Sequence, residues 1–444
     1  MKKHYLFIIS FLFIWSSSWS QGKFMLSGGK SDKINFKLIN NLIIFPVEVN
    51  GVELSFLLDT GVSKPIIFNF VNLTEELQIN QTERIYLRGL GEGEPVEALR
   101  SRNNIFKIGN AINLNQDLYA VFDPNLNFSP RLGVPVHGII GYDFLKDFIV
   151  EINYSYKYLK ISNHNNYKYK KCRKCKSFDL EFHSNKPYIK GVVSQNGNNK
   201  PVKLLVDSGS SDAIWLFEDE TKDITLPNKY FQDFLGHGLS GSIYGKRSKI
   251  DAFLLDDFKL RKVNVAFPDS TSIDNAKKIQ DRNGSLSGGI LKRFNIIFDI
   301  HNKKMRLRKN KYFSDEFYYN KSGIALEHNG IRVVRELEEK EAQIYGASVS
   351  QAAGARQIEV GKTFKYFFAP SFSIVELRKN SPAERAGLKI NDVILSVNGR
   401  KAHDYSLQDI VKLFYDEDGK RIKLLIERDG EKRSFSFTLE SLLK

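Results

Sequence analysis

The sequence is poor in cysteine, methionine and tryptophan, with 2, 3 and 3 among 444 residues. Two cysteines cannot make a tetrahedral zinc site without two further ligands, and no such ligands lie near Cys172 and Cys175. Their C-x-x-C spacing, in a chain expected to be exported, predicts a local loop disulfide, with two free thiols as the alternative. Long apolar runs are also scarce. The longest, Tyr5 to Trp15, is interrupted by Ser10 and is short of the ~20 residues that span a bilayer. No stable membrane span is therefore expected. Lys2, Lys3 and His4 precede that run and Ser18-Trp19-Ser20 follows it, so residues 1–20 are expected to be an export signal. The destination is then periplasmic or secreted. The signal region holds no cysteine, which disfavours a lipid anchor.

Acidic residues are in deficit, 51 against 66 basic, for a net charge of +15. Such a balance first suggests nucleic acid. The location of the charge argues otherwise. Asn153 to Lys176 carries seven Lys and one Arg without an acid, and His301 to Tyr312 carries four Lys and two Arg without an acid. These stretches occupy equivalent places in two repeats, where a basic run predicts a solvated strand edge. No nucleic-acid partner is expected.

What is present is aromatic and β-branched: 33 Phe and 19 Tyr accompany many Val and Ile, which favours strands. The chain also repeats itself. Phe56-Leu57-Leu58-Asp59-Thr60-Gly61 followed by Ile66-Ile67-Phe68 recurs as Leu204-Leu205-Val206-Asp207-Ser208-Gly209 followed by Ile214-Trp215-Leu216. The offset, 207 − 59, is 148 residues, and it also relates Gly141 to Gly289 and Glu151 to Asp299. Phe144-Leu145-Lys146-Asp147-Phe148 is echoed by Ile290-Leu291-Lys292-Arg293-Phe294, shifted by two. Each half opens with a hairpin, turning at Asn50-Gly51 and Asn196-Gly197.

A carboxylate in hydrophobic-hydrophobic-Asp-Thr/Ser-Gly has a specific use when it occurs twice. The apolar pair buries a strand, Gly lets amides turn toward the carboxylate, and the hydroxyl braces the loop. Two such loops meeting on a pseudo-twofold axis bring two carboxyls together. Both cannot ionise comfortably, so one proton is shared and the pair offers a base and an acid. The base activates a water and the acid protonates an amide oxygen, with no metal or cofactor required.

These two loops, each followed by an apolar pair and a later Gly-containing element, resemble the aspartic proteases, closer to the retropepsin-like branch in lobe length. Asp207-Ser208-Gly209-Ser210-Ser211 with Trp215 is also similar to the pepsin-type motif. The resemblance covers roughly Ile34 to Asn310. It implies that Asp59 and Asp207 are the catalytic pair, supported by Thr60, Gly61, Ser208, Gly209 and Ser210. Gly89, Gly91 and Gly93, and Gly236 with Gly238, are candidate flap tips whose glycines would permit mobile hairpins. His137 and His237 have no metal-ligand spacing and are expected to be structural or solvent-exposed. Val62 cannot hydrogen-bond through its side chain whereas its counterpart Ser210 can, so Asp207 is expected to hold the lower pKa of the pair.

Asn380-Ser381-Pro382-Ala383-Glu384-Arg385-Ala386-Gly387-Leu388-Lys389-Ile390-Asn391-Asp392-Val393-Ile394 resembles the bacterial form of a PDZ domain. Such domains bind extended peptides by strand addition. The resemblance implies a groove between Phe372 to Val375 and the helix from Ser406, lined by Phe372, Ser373, Ile374, Leu407 and Val411. The loop Ala369-Pro370-Ser371-Phe372 departs from the Gly-rich form that captures terminal carboxylates.

The expected fold class is mainly β: a two-lobed acid-protease fold of duplicated lobes followed by an α+β PDZ domain. The expected division is signal 1–20, first lobe 21–162, basic linker with the cysteines 163–176, second lobe 177–310, connector with an early strand of the last domain 311–365, and PDZ domain 366–444. The expected activity is that of a monomeric, exported aspartic endopeptidase. Its partners would be peptide or protein substrates and a PDZ-bound peptide segment. The competing class is a catalytically silent peptide-binding scaffold.

Overall fold

The computed structural model describes residues 22–68, 77–79, 81–123, 126–279, 281–337 and 364–443. The expected signal 1–20 and the small-residue run Ala347–Gly361 lie outside the described residues. The chain is mostly β, with 54% strand and 11% helix. Positive-φ Asn-Gly pairs place the first turns: Asn50 and Gly51 at 48° and 91°, and Asn196 and Gly197 at 52° and 78°. Both central residues left-handed is the geometry that lets a two-residue hairpin follow strand twist.

Each lobe is one sheet built to the same plan. In the first, the hairpin Leu42–Val49 and Val52–Leu58 runs beside the parallel strand Gly138–Ile140. In the second, Lys186–Gln195 and Asn198–Asp207 run beside the parallel strand Arg282–Ser287. Ile140 pairs with Leu58 and Leu286 with Val206, so Gly141 is structurally equivalent to Ser287, not to Gly289. The constant offset of 148 slips here because the second lobe spends two residues fewer before this strand. The shifted echo of Phe144 in Ile290 follows the true register.

A third sheet joins the lobes, in the order Cys175–Asp179, Lys304–Lys309, Phe294–Asp299, Ile149–Asn153, Tyr158–Ser162, Ser31–Asn35. Its central pair is antiparallel with Glu151 opposite Ile297, residues that are themselves 146 apart, the same spacing that relates Ile140 to Leu286. A residue facing its own repeat partner marks the pseudo-twofold axis. The basic strands Tyr158–Ser162 and Lys304–Lys309 are interior, not the edges that their charge predicts. Each is covered by one further strand, Ser31–Asn35 or Cys175–Asp179, and the lysines are tolerated because their side chains reach water from the sheet's outer face. Beneath this sheet one apolar core runs through both lobes, including the fully buried Phe144, Phe148, Val150 and Phe298. At about 1.5–3 kcal/mol per fully buried large apolar side chain, this shared core fixes the lobes to each other. Cys172 and Cys175 form a disulfide, S–S 2.03 Å, at the start of an outer strand of that sheet.

The C-terminal domain has its own core. Its sheet order is Ile324–Leu337, Phe364–Leu377, Val393–Val397, Arg421–Arg428, Glu431–Thr438. The domain thus begins some 40 residues before position 366, because the strand Ile324–Leu337 and its partner are separated in sequence by a long connection. The helix Leu407–Leu413 opens with Ser406 and Asp409 in a reciprocal capping box.

Candidate active site

Strand pairing delivers the two Asp-Thr/Ser-Gly loops to the twofold axis, where they lock reciprocally. Thr60 N–H donates to Ser208 Oγ at 3.1 Å and Ser208 N–H to Thr60 Oγ1 at 3.0 Å. The hydroxyls then donate across the axis, Thr60 Oγ1 to Val206 O at 2.6 Å and Ser208 Oγ to Leu58 O at 2.8 Å. Both side chains are buried, so each bond is sheltered from water. Gly61 N–H donates to Asp59 Oδ1 at 2.7 Å and Gly209 N–H to Asp207 Oδ1 at 3.0 Å.

The glycines are required by proximity. A Cβ on Gly209 would lie 2.3 Å from Asp59 Cγ. One on Gly61 would lie 3.0 Å from Asp59 Oδ1 and 3.7 Å from Asp207 Oδ1, so one small volume faces both carboxyls. Burial, and then the charge of Asp207, push Asp59 up to about 7. Asp207 is also raised by burial, but Arg282, the amides of Gly209 and Ser210, and Lys186 pull it back. Both carboxyls are thus raised, and against that rise Asp207 has Arg282 and a second amide that Asp59 lacks. Ser210 acts through its backbone N–H, not its hydroxyl. The N–H of Val62 is instead taken by the carbonyl of Asp59 at 3.2 Å.

The two hairpins expected to be flaps meet each other. Ser240 N–H donates to Leu90 O at 3.0 Å, Gly93 N–H to Ser240 O at 2.7 Å, and Gly89 N–H to Ser240 Oγ at 3.1 Å. Each tip also packs on the opposite lobe. Leu239 joins the first-lobe wall of Leu42 and Val136, and Leu90 packs against Trp215 and Phe217 of the second. A Cβ at Gly89, Gly91, Gly93 or Gly238 would come within 2.6 Å of the facing tip. The flap glycines therefore serve close backbone approach, which composition alone does not separate from mobility. Gly236 has open space but φ +151°, and the second tip itself is Leu239-Ser240 between Gly238 and Gly241.

His137 is structural: its Nδ1 accepts from Ser55 N–H at 3.1 Å, just as Asn283 Oδ1 accepts from Lys203 N–H at 2.9 Å in the other lobe. His237 contacts Ser242 and Phe234, and burial, then Arg131, hold it at about 4. Among the described residues no group of three or more His, Cys, Asp or Glu could hold a metal ion.

The strand half of the expected peptide groove is not at a free edge, whereas its helix half lies beside one. Phe372, Ser373 and Ile374 lie on an interior strand, paired with Leu326 to His328 on one side and, at Phe372 and Ser373, with Val393 and Ile394 on the other. Strand addition needs a free edge. The edge strand is Ile324–Leu337, and the helix bearing Leu407 and Val411 packs beside it. A segment of the first lobe already rests there. The short helix Ser129–Leu132 packs on the edge strand, Gln408 Nε2 donates to Leu132 O at 2.5 Å, and Arg131 pairs with Glu376 at 3.3 Å. Arg378 adds a contact to the second flap hairpin, 3.8 Å from Asp233 and stacked on Phe231. No local sequence signal announces the contacts of the first-lobe segment, because they join residues more than 240 positions apart.

Two homologous lobes with one Asp loop each on a shared axis, capped by hairpins, define the two-lobed aspartyl protease class. Comparison with family models agrees: the aspartyl protease family matches residues 45–144 and again 192–291, and the PDZ domain family matches 373–428. The chain thus carries two aspartyl protease domains followed by a C-terminal PDZ domain. Short stretches are also similar to two bacterial proteins. One is a carboxy-terminal processing protease of Bacillus subtilis, 39% identical over 67 residues, 15% of this chain and 14% of that protein. The other is a probable CtpA-like serine protease of Staphylococcus saprophyticus, 42% identical over 53 residues, 12% of this chain and 11% of that protein. The chain thus spans about one seventh or less of the length of these relatives.

Proposed function

We propose that the chain is an exported aspartic endopeptidase in which Asp59 and Asp207 activate a water against a peptide carbonyl. The observation that carries this reading is the reciprocal Thr60–Ser208 lock, which holds two half-buried carboxyls toward one volume. Asp207, with its extra donor and cationic neighbours, is the carboxylate that takes the proton of the water. Asp59 carries the shared proton, gives it to the carbonyl oxygen, and the pair then returns one to the leaving amine. Closing hairpins would exclude bulk water while this happens.

The PDZ domain regulates access in this reading. Its peptide-binding edge rests on residues 129–133, and that segment leads directly into Val136 of the cleft wall. A peptide that adds to the edge strand must displace the segment, so recruitment and opening of the cleft are one event. The test is hydrolysis of a peptide mixture by wild type, Asp59→Asn and Asp207→Asn, with and without a statine-type transition-state mimic. Each variant is expected to lose at least ~10²-fold in rate, and the mimic to inhibit only the wild type. Equal rates in all three proteins overturn the protease assignment, and undiminished peptide capture by inactive protein favours a scaffold.

A further inference from the structure

The two lobes differ most where their symmetry should make them equal. Ile44 pairs with Leu57 and Tyr188 pairs with Leu205, so continuing each ladder by two residues puts Leu42 at the position opposite Asp59 and Lys186 at the position opposite Asp207. From there the lysine charge acts on both carboxyls, Asp59 first. Likewise the equivalence of His137 and Asn283 makes Val136 the counterpart of Arg282. The wall beside Asp59 is therefore apolar, with Leu42, Ile44 and Val136 buried in one cluster. The wall beside Asp207 is built of Lys186, Tyr188 and Arg282.

Cations in such a place need a partner, since an unpaired buried charge is costly. Nearby Lys190 and Lys203 share Glu181, each at 2.6 Å. Among the described residues, neither Lys186 nor Arg282 has a carboxylate within 4.0 Å. Arg282 is 9% exposed and is held in place by neutral acceptors, Gly284 O at 3.2 Å and Ser285 Oγ at 3.1 Å, with its guanidinium 5.2 Å from the Phe217 ring. The buried hydroxyl of Tyr188 faces this guanidinium without a well-formed hydrogen bond. Burial lowers the pKa of both cations, as expected of groups waiting for a counter-charge. The dyad offers them one shared negative charge, and its donors Gly61 and Gly209 already hold it.

We propose that Lys186, Arg282 and Tyr188 form a carboxylate-binding subsite, so that the chain cuts peptides with an apolar side chain on the Asp59 side of the scissile bond and a carboxylate on the Asp207 side. The carboxylate comes from an acidic side chain or from the peptide's own C-terminus. This inference rests on the protease reading for its direction of cleavage, but not for its binding.

The test uses matched peptides with Glu or Gln on the Asp207 side, each with a free or amidated C-terminus. They are assayed for cleavage by wild type and Lys186→Leu, and for binding to uncut Asp59→Asn protein by fluorescence anisotropy. Where the side chain supplies the carboxylate, Glu is expected to exceed Gln by about 10- to 100-fold in both readouts, and Lys186→Leu to remove most of that ratio in binding. A Glu-over-Gln preference that survives amidation assigns the side chain; a free-over-amidated preference shared by the Glu and Gln peptides assigns the terminus. Equal binding and cleavage of all four peptides overturn the subsite. So does a Lys186→Leu protein that shifts the pH profile but leaves the Glu-to-Gln ratio intact, because the cations then serve only the dyad. Failure of cleavage with the binding ratio preserved would count against the protease reading alone.

Discussion

Replacing Asp59 by Asn should stabilise the protein at neutral pH and leave it little changed in acid. The folded carboxyl titrates near 7 against an ordinary value of 3.8, so the native state holds a proton that the unfolded chain releases. A raised folded pKa contributes stability that is complete below about pH 4 and is lost as the pH climbs through 7. A tenfold difference in proton affinity is worth about 1.4 kcal/mol, so the distance from 3.8 to about 7 sets a ceiling of about 4 kcal/mol. The ceiling applies because the carboxyls border a cleft that water can enter. Asn keeps the acceptor for the Gly61 amide and removes the charge, and Asp207 then ionises without a like neighbour. Denaturant unfolding of wild type and Asp59→Asn from about pH 3.5 to 8 measures the difference directly. The variant's advantage should be near zero at the acid end, grow between about pH 4 and 7, and then level off. A pH-independent difference, or one that grows toward acid, would refute the argument from burial.

The same proton sets the activity profile: kcat/KM should fall above about pH 7, and a Val62→Ser substitution should leave both limbs nearly unmoved, since Ser210 acts through its amide. Gly209→Ala should lower kcat by at least ~10²-fold with the fold retained by circular dichroism, because its Cβ would sit 2.3 Å from Asp59 Cγ and displace that carboxyl. Thr60→Val removes one donor and leaves Ser208 N–H unpaired, which should destabilise by about 1–3 kcal/mol in denaturant unfolding. Arg131→Glu sets like charges against Glu376; amides of Ile324 to His328 should then exchange faster with deuterium, and kcat/KM on short peptides should rise several-fold.

The sequence alone determined the duplication and the class of each domain, and it singled out Asp59 and Asp207 as the candidate pair. Those features are written in local order: an apolar strand that ends in Asp-Thr-Gly or Asp-Ser-Gly, Asn-Gly turns, and a capped helix at Ser406. It also determined that any bridge between the two cysteines is local, because they are only three positions apart, while the bond itself is seen only in the structure. Tertiary structure decided everything that depends on which strand lies beside which. The basic strands are interior because Ser31–Asn35 and Cys175–Asp179 pair outside them. Phe372 to Ile374 lost the peptide groove because an alternating strand looks the same at an edge and in the middle of a sheet. The flap glycines serve approach between tips that are about 150 residues apart. Nothing local marks Lys186 and Arg282, because a lysine opening a strand looks like a solvated end. Only the ladder sets Lys186 opposite Asp207, where the lobe's twin has Leu42.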